Sequence, residues 1–111
     1  MPYLRLETNV GIQNEEKFLK DLSNLIAKSL NKPERYVMVS VETKKMIFDG
    51  KADPCAFLEL KSIGFPTDKA AKLSGELCDF VEKNMGVRKE RIYLNFVDFE
   101  GSMWGWNGTT F

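Results

Sequence analysis

The same order of elements occurs twice in this chain, and that duplication limits the folds open to it more than any other feature. In the first half, Tyr3-Leu4-Arg5-Leu6-Glu7 alternates apolar and polar residues and predicts a strand. From Asn14 onward, Phe18, Leu22, Leu25, Ile26 and Leu30 follow the three-four spacing of a buried helical face. Asn31-Lys32-Pro33 ends that helix, because proline disfavours helical geometry in the residue before it. Val37-Met38-Val39-Ser40-Val41 is then a β-rich run, and a connection passes through Met46-Ile47-Phe48 and Asp49-Gly50 to Asp53-Pro54. The second half repeats this: a strand from Ala56 to Lys61, a helix carrying Ala70, Leu73, Leu77, Phe80, Val81 and Met85, and a strand from Ile92 to Val97. Thr67 is placed to N-cap that helix and Gly86 to supply its left-handed C-terminal cap. Glu34-Arg35-Tyr36 before one strand matches Glu90-Arg91-Ile92 before the other, an offset of 90 − 34 = 56, about half of the 111 residues.

Two βαβ units joined by right-handed crossovers give an α+β, two-layer fold, a four-stranded mixed sheet with both helices on one face. The length fits one domain, residues 1–111, divided into pseudo-repeats at about 1–54 and 55–111. Residues 37–41 and 92–97 read as apolar on both alternations, the pattern of strands buried on two sides. Only two helices are available, so the second face is expected to be covered by another copy, sheet against sheet. The tail supports a homo-oligomer, since Trp104, Trp106 and Phe111 are costly to leave in water and such residues are enriched where chains meet.

Composition narrows the chemistry. Sixteen Lys plus Arg against sixteen Asp plus Glu cancel, so there is no basic excess of the kind that neutralises phosphates, and neither nucleic acid nor an anionic membrane is expected as partner. No apolar run approaches the roughly eighteen residues of a membrane span. Met1-Pro2-Tyr3-Leu4-Arg5 has no charged leader before an apolar run, so a cytoplasmic protein without a secretory signal is expected. Cys55 and Cys78 have no framework spacing and read as free buried thiols. Histidine is absent, which removes the commonest general base, the His-dependent triads and most zinc sites. Proton transfer is left to a carboxylate, Lys, Tyr, Cys or the terminal amine, and no metal or cofactor is expected.

Pro2 is the candidate base. Proline after the initiator is small enough for Met1 to be removed, leaving a secondary amine at the head of a strand. Burial lowers an α-amine from its usual ~8 toward neutrality by penalising the charged form. Met-Pro starts are ordinary, so on this feature alone an inert terminus is the stronger reading.

Its surroundings add specificity. Thr8-Asn9-Val10, Lys32-Pro33 with Tyr36, Asp53-Pro54-Cys55-Ala56, Ser62-Ile63-Gly64, Arg91-Ile92-Tyr93-Leu94-Asn95-Phe96 and the ending from Trp104 to Phe111 follow Met1-Pro2 in order. The series resembles the macrophage migration inhibitory factor family of the tautomerase superfamily over the whole chain. The resemblance implies the duplicated βαβ fold, assembled as a homotrimer whose sheets enclose a central channel. It also implies a cofactor-independent isomerase of the phenylpyruvate or dopachrome type, acting on small aromatic 2-oxo acids. On this resemblance Pro2 is the catalytic base, Lys32 holds the substrate carboxylate, and the Ile63 backbone N–H meets the same acidic end. Tyr93 and Asn95 correspond to the pair lent by a neighbouring subunit, and Tyr36, Trp106 and Phe111 to the aromatic walls. Read without the family, Lys32 is also a solvated charge at a helix end, the three wall residues are also interface packing, and Asn95 is an amide hard to bury without a partner.

The chain departs from the family in places. Leu58 stands where members with thiol-disulfide activity carry the second Cys of Cys-x-x-Cys, so that chemistry is not expected from Cys55. Asp49-Gly50 replaces a frequent Gly-Gly, and Phe65, after Ser62-Ile63-Gly64, replaces a glycine and is expected to narrow the pocket entrance. Val97 stands where some members have Tyr. The family also contains extracellular ligands made without a signal peptide. A cytokine-like protein, secreted by a non-classical route to a receptor and retaining a vestigial pocket, is therefore the second reading.

Overall fold

The computed structural model describes residues 1–111. Strand β1 (Tyr3–Thr8) alternates as its sequence requires, with Leu4, Leu6 and Thr8 buried. Helix α1 (Glu15–Leu30) is capped by Asn14, whose side chain accepts from the Lys17 backbone N–H. It stops where Asn31 turns left-handed, φ 53°, and closes its N–H onto the carbonyls of Ala27 and Lys28. Asparagine tolerates that conformation, and Pro33 prevents any continuation. Strand β2 (Met38–Thr43) then pairs with β1 in parallel.

In the second half, β3 (Ala56–Ile63), helix α2 (Ala70–Met85) and β4 (Ile92–Phe99) repeat this order. β3 and β4 are parallel, while β1 and β3 are antiparallel. The mixed sheet therefore runs β2-β1-β3-β4, with the two halves joined at its centre. Gly86 caps α2 with φ 72° and donates to the Glu82 carbonyl. Thr67 does not cap it. Pro66 leads into a 3-10 turn over Thr67–Lys69, closed by the Lys69 N–H on the Pro66 carbonyl, and the α-helix begins after that turn without a side-chain cap.

Both helices cover one face. Leu4, Leu6, Leu58 and Leu60 of the central strands meet Leu22 and Ile26 of α1 and Leu73, Leu77 and Val81 of α2, and Phe18 packs on Phe80 at 5.3 Å. Each fully buried leucine contributes about 1.5–3 kcal/mol of transfer free energy, so this layer is the main source of stability. Cys55 and Cys78 are free and buried here. Phe65 also lies in this core, 6% exposed and 5.1 Å from the Phe96 ring, so it does not narrow a pocket entrance.

On the other face, Met38 of β2 and Asn95 of β4 are exposed in the single chain, and the centre of that face is charged. Its central residues are Arg5, Glu7, Glu59 and Lys61, because the alternation that buries Leu4, Leu6, Leu58 and Leu60 turns these outward. Arg5 pairs with Glu7 and Glu59, Lys61 with Glu59, and Lys44 with Glu7 and Glu42. Apolar side chains on or beside the open face gather at the margins, where Met38, Ile47 and Tyr93 are exposed.

Beyond β4 the tail forms a small hairpin, β5 (Gly105–Trp106) with β6 (Thr109–Thr110). Asn107 and Gly108, at φ 51° and 80°, make the two-residue turn that Asn-Gly favours because both positions need positive φ. No helix is long and apolar enough to cross a membrane.

Candidate functional site

Pro2 immediately precedes β1, is fully buried, and its carbonyl accepts from the Met38 N–H at 3.0 Å. That bond ties the start of the chain to the start of β2. Tyr3 is registered opposite Lys61, so continuing the antiparallel pairing brings Ile63 opposite the first residues. Gly64, with φ 60°, then turns the chain away and donates to the Phe99 carbonyl, and the Phe65 N–H is held by Asp98 at 2.8 Å. Ile63 is thereby fixed at the sheet end that holds Pro2.

Lys32 is placed by the end of α1. Its own N–H bonds the Ala27 carbonyl at 2.9 Å, directly after the Asn31 cap, and its side chain is half-buried. Its charge reaches the chain terminus. The Met1 amine is lowered from the ordinary 8.0, first by burial and then by the Lys32 cation, since both disfavour a second positive charge. Pro2, Lys32 and Ile63 are therefore gathered at one end of the sheet.

Aromatic residues join them there. Tyr36 ends the 3-10 turn Glu34–Tyr36 and stands edge-on to Trp106 at 5.7 Å and to Phe111 at 6.2 Å. Trp106 and Phe111 stack at 5.5 Å with 17° between their planes. β4 and β2 are opposite edges of the sheet, so the tail must cross the sheet end to bring these rings to Tyr36. Asn107-Gly108 is a hairpin signal that the sequence reading passed over, and the aromatic spacing alone did not reveal the crossing.

Tyr93 and Asn95 are not brought to this cluster within one chain. Tyr93 shares a register row with Phe57 and Glu7, four strand residues or about 13 Å from the row of Tyr3 and Lys61. It is exposed and packs on Phe48 at 4.6 Å. Asn95 lies midway along β4 in register with Glu59. It is exposed on the charged face rather than a buried amide in an apolar strand. Phe48, expected only as part of a connection, was missed; Asp49-Gly50, both with positive φ, makes a hairpin turn there bridged by Phe48 and Lys51. A cavity of about 970 Å³ also opens at this far end, between Phe48, Phe57, Arg91 and Tyr93, and not beside Pro2.

The charged face separates the two ends. Lys44, hydrogen-bonding Glu7, holds that carboxyl below its usual range. Burial acts to raise Glu59, but hydrogen bonds from Arg5 and Lys61 outweigh it and hold it low as well. Both acids are committed to ion pairs, which leaves the terminal amine as the group at the Pro2 end with a depressed pKa.

Fold and site together define a class: a duplicated βαβ sheet of the tautomerase type, with a buried proline next to the terminal amine and a lysine beside it. Family comparison makes this specific. Residues 1–111 match the model of the family described as macrophage migration inhibitory factor, and the chain belongs to that family. A macrophage migration inhibitory factor homolog from Brugia malayi is 42% identical over 115 aligned positions, covering 100% of this chain and 99% of the relative. The crystal structure of the Prochlorococcus marinus homologue superposes with a TM-score of 0.93 at 35% identity, covering 98% of each chain. The Trichinella spiralis structure gives 0.92 at 35% identity, over 98% of this chain and 99% of that one.

Proposed function

We propose that this protein is a cofactor-independent keto–enol tautomerase, with the Pro2 nitrogen as general base once Met1 is removed. The observation that carries the reading is the gathering of the buried Pro2 with Lys32 and Ile63 at one end of the sheet, where burial and then the Lys32 cation lower the adjoining Met1 amine from 8.0, the direction a general base at the terminus requires. The substrate class is a small aromatic 2-oxo acid of the phenylpyruvate type. Its carboxylate rests on Lys32 and the Ile63 N–H, and its ring lies among Tyr36, Trp106 and Phe111. Pro2 takes a proton from the carbon next to the ketone and returns it to oxygen, or the reverse, so no redox change or cofactor is involved.

On this reading the working form is a homotrimer. Tyr93 and Asn95 stand away from their own Pro2, and a neighbouring copy is needed to bring such a pair to the site. The charged face favours sheets around a water-filled channel over sheets packed dry, because several desolvated ions would cost several kcal/mol each. The free thiols of Cys55 and Cys78 suit a reducing, cytoplasmic setting. The relatives' name, a factor inhibiting macrophage migration, favours a second reading in which the protein acts outside the cell on a receptor. The deciding experiment is phenylpyruvate enol–keto exchange with Met1 removed and with Met1 retained. Exchange only by the processed protein supports the enzyme; none by either form refutes it.

A further inference from the structure

We infer that Arg91 is a positioning residue, whose guanidinium fixes the 48–54 loop so that Phe48 and Tyr93 form one rigid aromatic wall. The inference rests on the tautomerase reading, in which Tyr93 serves a neighbouring copy's site. Arg91 closes the turn just before β4. Its Nε donates to the Pro54 carbonyl at 2.9 Å and its Nη1 to that of Phe48 at 3.0 Å. Nη2 donates to the carbonyls of Lys51 at 3.2 Å and Asp53 at 3.0 Å. The guanidinium carbon also lies 5.3 Å over the Phe48 ring. One side chain thus gathers four carbonyls from a loop whose residues from Asp49 to Pro54 are all exposed.

Packing does not order that loop. Its own backbone contributes the Phe48–Lys51 bridge, and Asn9 holds the far side, donating to the Ala52 and Asp53 carbonyls at 3.1 Å each and accepting from the Cys55 N–H. Arg91 is the clamp on the Phe48 side. Only a planar fork with five donors serves four convergent carbonyls; a lysine ammonium has three donors at one point. The outcome is the placement of Phe48 on Tyr93, at 4.6 Å and 38° between planes, beside a cavity of about 970 Å³. In the assembled enzyme this wall meets the ring end of the substrate. Phe48 is then a further specificity residue, held by Arg91 from outside the site.

The test uses the full-length, processed protein and three variants: Arg91→Lys, Arg91→Ala and Phe48→Leu. Hydrogen–deuterium exchange of peptides covering 46–55 reads the loop, and phenylpyruvate tautomerisation reads the wall. Both Arg91 variants are expected to speed exchange in 46–55 while α2 and the central strands stay protected. Both should raise KM on the order of tenfold with kcat within about twofold, the mark of lost binding shared by ground and transition states. Phe48→Leu should raise KM similarly and leave exchange of residues 50–55 unchanged. Wild-type exchange in Arg91→Ala, or a wild-type KM in Arg91→Lys, overturns the clamp. A wild-type KM in Phe48→Leu overturns the wall. A wild-type protein inactive on phenylpyruvate refutes the tautomerase reading instead, and the exchange arm still decides whether Arg91 holds the loop.

Discussion

Replacing Lys32 by alanine removes a charge that has two separate duties in the proposed site, and the two can be read independently. The first is anchoring. A charge-assisted hydrogen bond to a carboxylate contributes about 1.5–3 kcal/mol, equivalent to roughly 10- to 150-fold in kcat/KM. Because the carboxylate is held alike in ground and transition states, the loss should fall mainly on KM. The second duty is electrostatic. Burial first and Lys32 second lower the Met1 amine, and the Pro2 amine left by Met1 removal is proposed to take its place beside the same cation, so removing Lys32 should raise the apparent pKa of the base. The backbone at residue 32 is set by the Asn31 cap and the Ala27 carbonyl, so the substitution leaves the end of α1 in place. Steady-state kinetics of phenylpyruvate tautomerisation across pH 5 to 9 measures both. An unchanged KM removes Lys32 from the carboxylate site. An unchanged pKa with a raised KM refutes its electrostatic role on the amine.

Other outcomes follow from the fold. Removing the tail from Trp104 onward takes away the rings packed on Tyr36, and should weaken the proposed trimer in sedimentation equilibrium and reduce activity together; an unchanged oligomeric state with full activity contradicts the proposed walls. Leu6→Ala opens a cavity at the centre of the sheet and should cost about 2.7–5 kcal/mol in urea unfolding. Glu7 and Glu59 titrate lower in the folded chain than the usual 4.5, so their stabilisation is complete above that value and is lost as pH falls through the folded pKa values. Urea midpoints should therefore hold from pH 6 down to about 5 and drop below 4; a midpoint flat to pH 3 would show that these pairs contribute nothing.

Much of this architecture is written locally. The alternation of Tyr3 to Glu7, the three-four spacing from Phe18 to Leu30, and Asn31 and Gly86 at the helix ends each depend on neighbours a few residues away. What could not be read depends on partners far along the chain. Thr67 had the right chemistry for a cap, but Pro66 set up a 3-10 turn first. Treating edge strands 37–41 and 92–97 as apolar on both sides overlooked that β1 and β3 occupy the centre and turn Arg5, Glu7, Glu59 and Lys61 outward. Phe65 was assigned to an entrance by its nearness in sequence to Ile63, whereas Gly64 reverses the chain and sends it into the core. For the site, the family resemblance named the residues, and the structure gathers Pro2, Lys32 and Ile63 at one end and Tyr36, Trp106 and Phe111 around them. Arg91 stood out only within the repeat match and the family series, and its clamp was not readable because carbonyls and a ring leave no charge partner to find in the sequence.

The central claim is that the nitrogen of Pro2 is the base, and its position in the chain makes it separable from every other group. Two preparations are compared, the processed protein beginning at Pro2 and a variant with a non-cleavable residue before it, each verified by mass spectrometry. In the first, kcat/KM for phenylpyruvate should rise with pH through one apparent pKa below the ~8 of a free α-amine. In the second, the nitrogen is an amide and cannot accept a proton, so the proposed trimer should persist while the rate is lost. Full activity in the uncleaved variant would contradict the account and move the search for the base to the carboxylates.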